Sequence, residues 1–356
     1  MPYKVLILGA SYGSLLGTKL AMAGHDVTLV CREATAALIN AEGVEVRLQL
    51  RGESAHRSIR SADLPGRVDA VTPAGADAAA YDMVGLAMQE PQYAADDLRA
   101  LLGRIAGARV PSLSIMNMPP LVYLRRIPGL DTAGLEICYT APEVWREIDP
   151  DLLTLCSPDP QAFRPPEEKP NVLQVGLPTN FKAARFADAA ANRVLEAMER
   201  DILGVELDGK DVPVKLRVFD SVFVPLAKWS MLLAGNYRCI TPDGVRAIRD
   251  AVLGDRERAE AAYAFVDGLA RRLGADPADQ VPFEKYAAAA EKLLKPSSVA
   301  RAVDAGATGI ERIDLMVQLI ARGQGLHSAE VDDTVKTVNA RLAENRRVHA
   351  AADVPA

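Results

Sequence analysis

A glycine-rich loop near the start of the chain has the composition of a phosphate-binding turn. The stretch GASYGS follows the aliphatic run Val5–Leu8 and precedes an apolar segment with helical spacing. Glycine allows the tight turn, small residues let the backbone approach a pyrophosphate, and amides that open a helix hold phosphate. A glycine loop that binds no nucleotide is the alternative. We expect dinucleotide-binding contacts from Gly9, Ser11, Tyr12, Gly13 and Ser14.

The residue that ends the second predicted strand bears on the choice between the two nicotinamide cofactors. Arg32 follows Val30 and Cys31 directly, and Glu33 comes next. An acidic side chain at this place holds a ribose 2′-hydroxyl, whereas an arginine suits a 2′-phosphate. We therefore expect NADP(H) bound through Arg32. Glu33 keeps NAD open, and an ordinary solvated arginine is the other alternative.

One lysine lies in a setting that suits proton transfer. Lys228 occurs in the apolar stretch VFVPLAKWSMLLAG. A carbonyl that receives a hydride develops negative charge on oxygen, so a nearby ammonium stabilises that charge and supplies the proton. A lysine whose head simply reaches solvent from a helix is the alternative. The local sequence by itself leaves both roles open for Lys228.

The elements that must position these residues alternate in type along the first part of the chain. Strand-like runs at Val5–Leu8, Asp26–Cys31 and Met83–Met88 are separated by helical segments. Such alternation predicts an α/β Rossmann-like domain, a doubly wound sheet with helices on both faces. We place this domain at residues 1–218, with an irregular proline-rich excursion at about 135–170 because proline disfavours regular elements.

The rest of the chain has helical spacing. We predict an all-helical second domain over residues 219–356. Its helices are expected at Lys228–Asn236, Thr241–Arg271, Phe283–Leu294, Ser298–Ala305 and Glu311–Arg322, with Thr241 as an N-cap.

Composition excludes several other classes of protein. The 356 residues carry 41 basic and 47 acidic side chains, a net charge of −6, with no basic block. Nucleic acid is therefore an unsuitable partner. The four cysteines form no close pair, so no disulfide framework or thiolate metal site is indicated. No secretion signal or bilayer-length apolar run is evident, and we expect a cytoplasmic protein without membrane contact.

Four stretches together resemble the ketopantoate reductase (2-dehydropantoate 2-reductase) family. They are KVLILGASYGSLLGTKLAMAGHDVTLVCR, SLSIMNMPP, AKWSMLLAGN and GIERIDLMVQLIARGQG. The resemblance covers most of the chain and is weakest between Leu135 and Val218. It implies a Rossmann domain joined to a helical domain of the 6-phosphogluconate dehydrogenase C-terminal type, the cofactor NADPH, a small carbonyl substrate and a homodimer.

The same resemblance assigns roles to individual residues. Lys228 matches the lysine that protonates the keto oxygen. Asn236, two turns further along the predicted helix, and Asn117 match asparagines that bind substrate. Ser298 is carried over as a substrate ligand. Glu311 is carried over as a cofactor ligand, but Arg312 competes for its position because the spacing to the following Ile-Asp pair differs.

Two positions depart from the family pattern. An asparagine one turn after the lysine is Leu232 here, and a lysine at the end of a strand is replaced by Leu86. Both losses make a substrate pocket more apolar. We therefore expect Leu232 to line the pocket and the substrate to differ from ketopantoate.

The sequence thus predicts an NADPH-dependent reductase of a 2-keto acid or a related activated carbonyl. Two alternatives remain. An opine dehydrogenase would have a similar glycine loop, although none of the four histidines lies at a matching position. A non-catalytic NADP-binding protein would keep the fold without turnover.

Overall fold

The structure, a computed structural model, describes residues 2–352 and forms two compact units. The first unit contains the described residues up to Arg126 together with Glu143–Pro225. The second contains Ile127–Pro142 and the described residues from Leu226 onward. The short segment Ile127–Pro142 is thus part of the second unit although the first unit continues after it.

The first unit contains fourteen strands and five α-helices among its described residues. The strands are β1 (Lys4–Leu8), β2 (Asp26–Val30), β3 (Glu45–Gln49), β4 (His56–Arg60), β5 (Val68–Val71), β6 (Met83–Leu86), β7 (Ser112–Ile115), β8 (Leu153–Ser157), β9 (Gln161–Phe163), β10 (Val172–Leu177), β11 (Phe181–Ala184), β12 (Glu206–Leu207), β13 (Lys210–Asp211) and β14 (Leu216–Phe219). The helices are α1 (Gly13–Met22), α2 (Glu33–Glu42), α3 (Asp96–Ala108), α4 (Leu121–Leu124) and α5 (Ala189–Leu203).

The main sheet has eight strands in the order β14-β11-β8-β7-β6-β1-β2-β5. Six of them, from β8 to β5 in this order, run parallel. The central strand β1 lies between β2 and β6, so the direction of winding reverses there, where ligands of open α/β sheets bind. The buried aliphatic side chains of β1 suit a strand covered on both faces. The predicted Rossmann-like fold is confirmed.

The proline-rich segment differs from the prediction. Residues 135–170 are not an irregular excursion throughout, because β8 is the sixth parallel strand and all five of its residues are buried. Pro150 and Pro158 flank β8 and interrupt none of its ladder hydrogen bonds. A five-residue strand between prolines, with Thr154 and Ser157 among its residues, is too short to be recognised by its periodicity.

A second sheet also departs from the single sheet predicted. Four strands pair in the order β4-β3-β10-β9, and β3 and β10 run parallel although more than a hundred residues separate them. Helical spacing over Ala183–Arg200 predicts a helix there, but α5 begins only at Ala189, where the Asp188 side chain accepts the amide hydrogen of Ala191 at 2.7 Å. Ala183 and Ala184 belong to β11 instead.

Helix α1 contains a fully buried lysine. Lys19 is 1 % exposed, and its Nζ donates to the carbonyl oxygen of Val212 at 3.2 Å. Burial lowers the pKa of Lys19 from 10.5 to about 7, and the nearby charge of Lys215 acts in the same direction. The folded unit therefore releases this proton at a much lower pH than the unfolded chain does.

This shift predicts that stability rises with pH. Between pH 7 and 9 the unfolded chain keeps the Lys19 proton that the folded unit has lost, so the free energy of unfolding should increase by about 2 kcal/mol. Lys19→Met should flatten this rise, whereas the exposed Lys292→Met should leave it unchanged. Urea unfolding at both pH values, followed by Trp145 fluorescence in a Trp229→Phe background, measures the first unit alone. If the free energy of unfolding rises equally between pH 7 and 9 with and without Lys19, this rise does not come from Lys19.

The second unit is helical apart from one short hairpin within the residues described. Its helices are α6 (Lys228–Met231), α7 (Ile248–Leu253), α8 (Arg256–Arg272), α9 (Phe283–Ala290), α10 (Ser298–Asp304), α11 (Ile313–Gly323) and α12 (Ala329–Ala352), and the hairpin strands are β15 (Ile240–Thr241) and β16 (Gly244–Val245). A π-helical segment, Leu232–Asn236, follows α6 directly. The predicted helical second domain is confirmed as a fold class.

Two elements of this unit were predicted wrongly. Thr241 is not an N-cap, because it lies in β15 and the chain turns back before α7 begins at Ile248. The long helix α12 was not predicted. Its buried Val331, Val335, Val338 and Leu342 do recur at helical spacing, a signal weakened by the polar residues around them. No helix in the described part of the chain has the length and hydropathy needed to span a membrane.

Candidate active site

The first turn of the glycine loop requires glycine. Gly9 follows β1 directly and has a φ of +107°, a conformation that residues with side chains rarely adopt. A Cβ at this position would lie 2.7 Å from the carbonyl oxygen of Ala87 and from Cγ of Met88. The loop backbone is therefore held directly against the residues that follow β6.

The backbone amides of Ser11, Tyr12 and Gly13 lie where the glycine loop passes into α1. Within residues 2–352, the amides of Ser11, Tyr12 and Gly13 donate to no protein acceptor. Ser14 is buried, and its hydroxyl donates to the carbonyl oxygen of Ser11 at 2.8 Å, which stiffens the loop. Open amides at the start of a ten-residue helix, with the positive end of its dipole, suit a pyrophosphate.

The Tyr12 side chain and the absence of a side chain at Gly13 both support the loop. The Tyr12 hydroxyl donates to the carbonyl oxygen of Pro160 at 2.7 Å, its ring packs edge-on against Phe181, and burial raises its pKa. Only the Tyr12 backbone is therefore available to a phosphate. A Cβ at Gly13 would lie 2.6 Å from Cγ2 of Ile7, so this glycine lets α1 pack closely on β1.

Two arginines lie together where β2 ends. Arg32 is exposed at the start of α2. Arg164 follows β9 and is half-buried; burial lowers its pKa, and the positive charge of Arg32 contributes in the same direction. Neither guanidinium forms an ion pair with a carboxylate in the part of the chain described. Two unneutralised cations at this edge suit a phosphate better than a ribose hydroxyl.

Asn117 follows the end of β7 on the same edge of the sheet. Its Oδ1 atom is buried and has no hydrogen-bond partner among residues 2–352. A buried amide oxygen without a donor is costly unless a ligand supplies one. The loop after β1, Arg32 after β2 and Asn117 after β7 all follow carboxyl ends of parallel strands. Together they fit a nicotinamide dinucleotide.

In the second unit, Lys228 is the first residue of α6 and is half-buried. Leu232, at the start of the π-helical segment, is 3 % exposed, and Asn236 ends that segment half-buried. The Asn236 side chain forms no hydrogen bond within the described residues. One continuous helical stretch therefore carries an ammonium, an apolar residue and an available amide. π-Helical segments of this kind occur frequently at functional sites.

The serine next to this stretch is Ser297. Its hydroxyl donates to the carbonyl oxygen of Asn236 at 2.7 Å and also accepts the amide hydrogen of Ala300, so it caps α10. The side chain of Ser298, the serine carried over from the family pattern, is exposed and has no contact of this kind. A serine directly before a helix is an N-cap signal that sequence reasoning had available and did not use.

Glu311 and Arg312 have different surroundings. Glu311 is buried, and its carbonyl oxygen accepts a hydrogen bond from the Tyr237 hydroxyl at 2.5 Å. Burial raises the Tyr237 pKa, so this hydroxyl stays protonated. Arg312 pairs with Asp314 through Nε and Nη2, at 2.9 and 3.0 Å, and also donates to Asn339. These contacts occupy the Arg312 guanidinium.

Sequence reasoning missed three further residues near these groups. They are Arg164, Gly235 and Tyr286. Arg164 lies in a segment read as irregular, and the importance of Gly235 and Tyr286 depends on a packing contact between them. None of the three belongs to a local pattern that would single it out.

Comparison with known proteins gives a consistent result. Residues 5–107 match the family model described as Ketopantoate reductase PanE/ApbA. No curated protein matches the chain significantly. A solved structure of a 2-dehydropantoate 2-reductase from Methylococcus capsulatus is 15 % identical, covers 96 % of this chain and 97 % of its own, and has a TM-score of 0.64.

Two other solved structures are similar. A protein from Ralstonia solanacearum MolK2, provisionally named a ketopantoate reductase, is 16 % identical, with 97 % and 99 % coverage and a TM-score of 0.68. D-mandelate dehydrogenase, solved with NADH and anilino(oxo)acetate, is 14 % identical, with 96 % and 99 % coverage and a TM-score of 0.63. At these identities the structural matches establish a shared fold. Residues 5–107 thus match the family model described as Ketopantoate reductase PanE/ApbA, and the chain shares its fold with these solved structures.

Proposed function

We propose that the protein is an NADPH-dependent reductase of a 2-keto acid or a related activated carbonyl, with Lys228 as the proton donor. The observation that carries the proposal is the stretch Lys228–Asn236, which combines an ammonium, a buried leucine and an amide without a protein partner. The family domain at residues 5–107 supports the nucleotide part of the proposal.

The cofactor supplies the hydride when it is bound. The open amides of Ser11, Tyr12 and Gly13 would hold its pyrophosphate, with Gly9 and Ser14 shaping the turn. Arg32 and Arg164 would neutralise a 2′-phosphate. Glu311 is proposed as a further cofactor ligand.

Lys228 then acts on the substrate oxygen. As the carbonyl carbon gains the hydride, negative charge develops on oxygen, and the ammonium stabilises it and transfers a proton from Nζ. Asn236, Asn117 and Ser298 are proposed as substrate ligands through their polar side chains. Ser297 would support Asn236 by bonding to its carbonyl oxygen.

The substrate is proposed to be less polar than ketopantoate. Leu232 and Leu86 stand where the family pattern has an asparagine and a lysine, and both are buried. A leucine cannot hydrogen-bond a substrate hydroxyl, so a 2-keto acid with an apolar or aromatic side chain fits better. D-mandelate dehydrogenase, a structural neighbour, was solved with an aromatic oxo acid analogue. Homodimer formation and a cytoplasmic location stay predictions.

An oxidation assay tests the reaction class. NADPH and NADH oxidation would be followed with ketopantoate, aliphatic and aromatic 2-keto acids, 2-ketolactones, 1,3-dicarbonyls and mixtures of keto acid and amine. We expect NADPH oxidation with apolar 2-keto acids when no amine is added. The rate of oxidation with ketopantoate should be lower. Turnover only when an amine is added would instead indicate an opine dehydrogenase. Tight NADPH binding without oxidation of any compound would indicate a non-catalytic NADP-binding protein.

A further inference from the structure

The helix that carries Lys228 changes type in the middle, and a tyrosine from another helix lies at the point of change. Residues Lys228–Met231 are α-helical, and Leu232–Asn236 are π-helical. The hydroxyl of Tyr286, from α9, donates to the carbonyl oxygen of Met231 at 3.1 Å. In a continuous α-helix that carbonyl would accept the amide hydrogen of Gly235. The Tyr286 hydroxyl thus bonds the Met231 carbonyl, the group whose hydrogen-bond partner within the helix changes when the helix changes from α to π.

Gly235 provides the space for this contact. A Cβ at position 235 would overlap the Tyr286 hydroxyl and come within 3.2 Å of Cγ2 of Val252. The Tyr286 ring cannot easily move away, because it is buried and stacks on Tyr263 with 5.7 Å between ring centroids. Burial raises the Tyr286 pKa, so the hydroxyl remains a donor at neutral pH.

The π-helical segment changes the direction in which Asn236 projects. In a continuous α-helix, a residue eight positions after Lys228 would be rotated from it by about 80° around the axis. A π-helix turns less per residue, since its hydrogen bonds join residues five apart. Five such residues reduce the rotation, so Asn236 comes closer to the Lys228 face. Ser297 supports the end of the segment through the Asn236 carbonyl.

We propose that Tyr286, accommodated by Gly235, is a positioning residue that holds the π-helical segment and so directs the Asn236 amide to the face that carries Lys228. This proposal rests on the proposed function, because it assigns Asn236 to the substrate that Lys228 protonates. Tyr286 itself touches no reacting atom. It acts through the backbone at Met231.

A matched pair of tyrosine variants tests this role. Tyr286→Phe keeps the ring and removes only the hydroxyl. Tyr263→Phe removes the other hydroxyl of the stacked pair, which donates to Val281 at 2.6 Å and not to the Lys228 helix. We expect Tyr286→Phe to lower kcat/KM for the best 2-keto acid about tenfold, the size of one lost positioning hydrogen bond. Tyr263→Phe should change it less than about twofold.

A double-variant cycle separates positioning from general destabilisation. If Tyr286 acts through Asn236, Tyr286→Phe should have no further effect on kcat/KM in an Asn236→Ala background. Gly235→Ala, which pushes the hydroxyl away, should reproduce the loss seen in Tyr286→Phe. An undiminished effect in the Asn236→Ala background, or equal effects of the two tyrosine variants, would overturn the proposal.

Hydrogen exchange provides a readout that does not need activity. Backbone amides of residues 232–236 should exchange faster in Tyr286→Phe than in Tyr263→Phe at equal global stability. If no carbonyl compound is reduced by the unaltered protein, the proposed function fails, and this measurement alone decides the role of Tyr286. Equal exchange in both variants would then overturn it.

Discussion

Lys228→Ala should lower kcat with the best 2-keto acid by about 10²- to 10⁴-fold, the usual loss when a general acid is removed. The dissociation constant for NADPH should stay nearly unchanged, because the open amides of the glycine loop and the two arginines lie in the first unit. Steady-state kinetics and fluorescence titration of NADPH measure the two quantities separately.

Lys336→Ala is the control for this variant, because Lys336 is an exposed lysine on α12 of the same unit. It should leave both quantities unchanged. Normal turnover in Lys228→Ala would refute the proposed acid and leave only nucleotide binding.

Leu232→Asn, which restores the family residue, should shift relative kcat/KM towards small polar keto acids if Leu232 lines the pocket.

Removing both arginines at the end of β2 should abolish discrimination between the two cofactors. We expect the unaltered protein to bind NADPH at least about tenfold more tightly than NADH, since a charge-assisted contact to the 2′-phosphate is worth about 1.5–3 kcal/mol. Arg32→Ala and Arg164→Ala should each weaken NADPH binding, and the double variant should bind both cofactors equally. NADH affinity should change little in any of them.

Arg67→Ala serves as the control for this series, since Arg67 is an exposed arginine of the first unit that pairs with Asp69. Fluorescence titration of both cofactors at two salt concentrations measures the preference, which should fall as salt screens the arginines. Equal affinity for both cofactors in the unaltered protein would refute a 2′-phosphate site. If Arg164→Ala keeps the preference for NADPH and Arg32→Ala loses it, Arg164 is not part of the 2′-phosphate site.

Local patterns in the sequence were sufficient to predict the start of the first unit. The strand Lys4–Leu8, the loop that begins at Gly9 and the helix Gly13–Met22 are encoded within about twenty consecutive residues. Aliphatic runs, glycine and helical spacing all predict the same structure there. The α/β class of the first unit and the helical class of the second follow from the same kind of evidence.

Elements whose structure depends on distant partners were not predictable in this way. Strand β8 belongs to the main sheet because it pairs with β7, forty residues earlier in the chain, and not because of its own short pattern. Strand β3 is not part of the main sheet, because it pairs in parallel with β10 in the second sheet. The adjacency of Arg164 to Arg32 likewise depends on the path of the chain through β9.

The sequence by itself determined which residue types the protein has available: a glycine-rich loop after the first strand, an arginine after the second strand, and a lysine followed by an asparagine. Tertiary structure decided how the substrate-side groups are presented. Ser297 bonds the Asn236 carbonyl, and Asp314 pairs with Arg312. Tyr286, next to Gly235, bonds the backbone where the helix changes type. Residue types and spacing are local properties, whereas the direction of a side chain depends on packing between segments that are far apart in the chain.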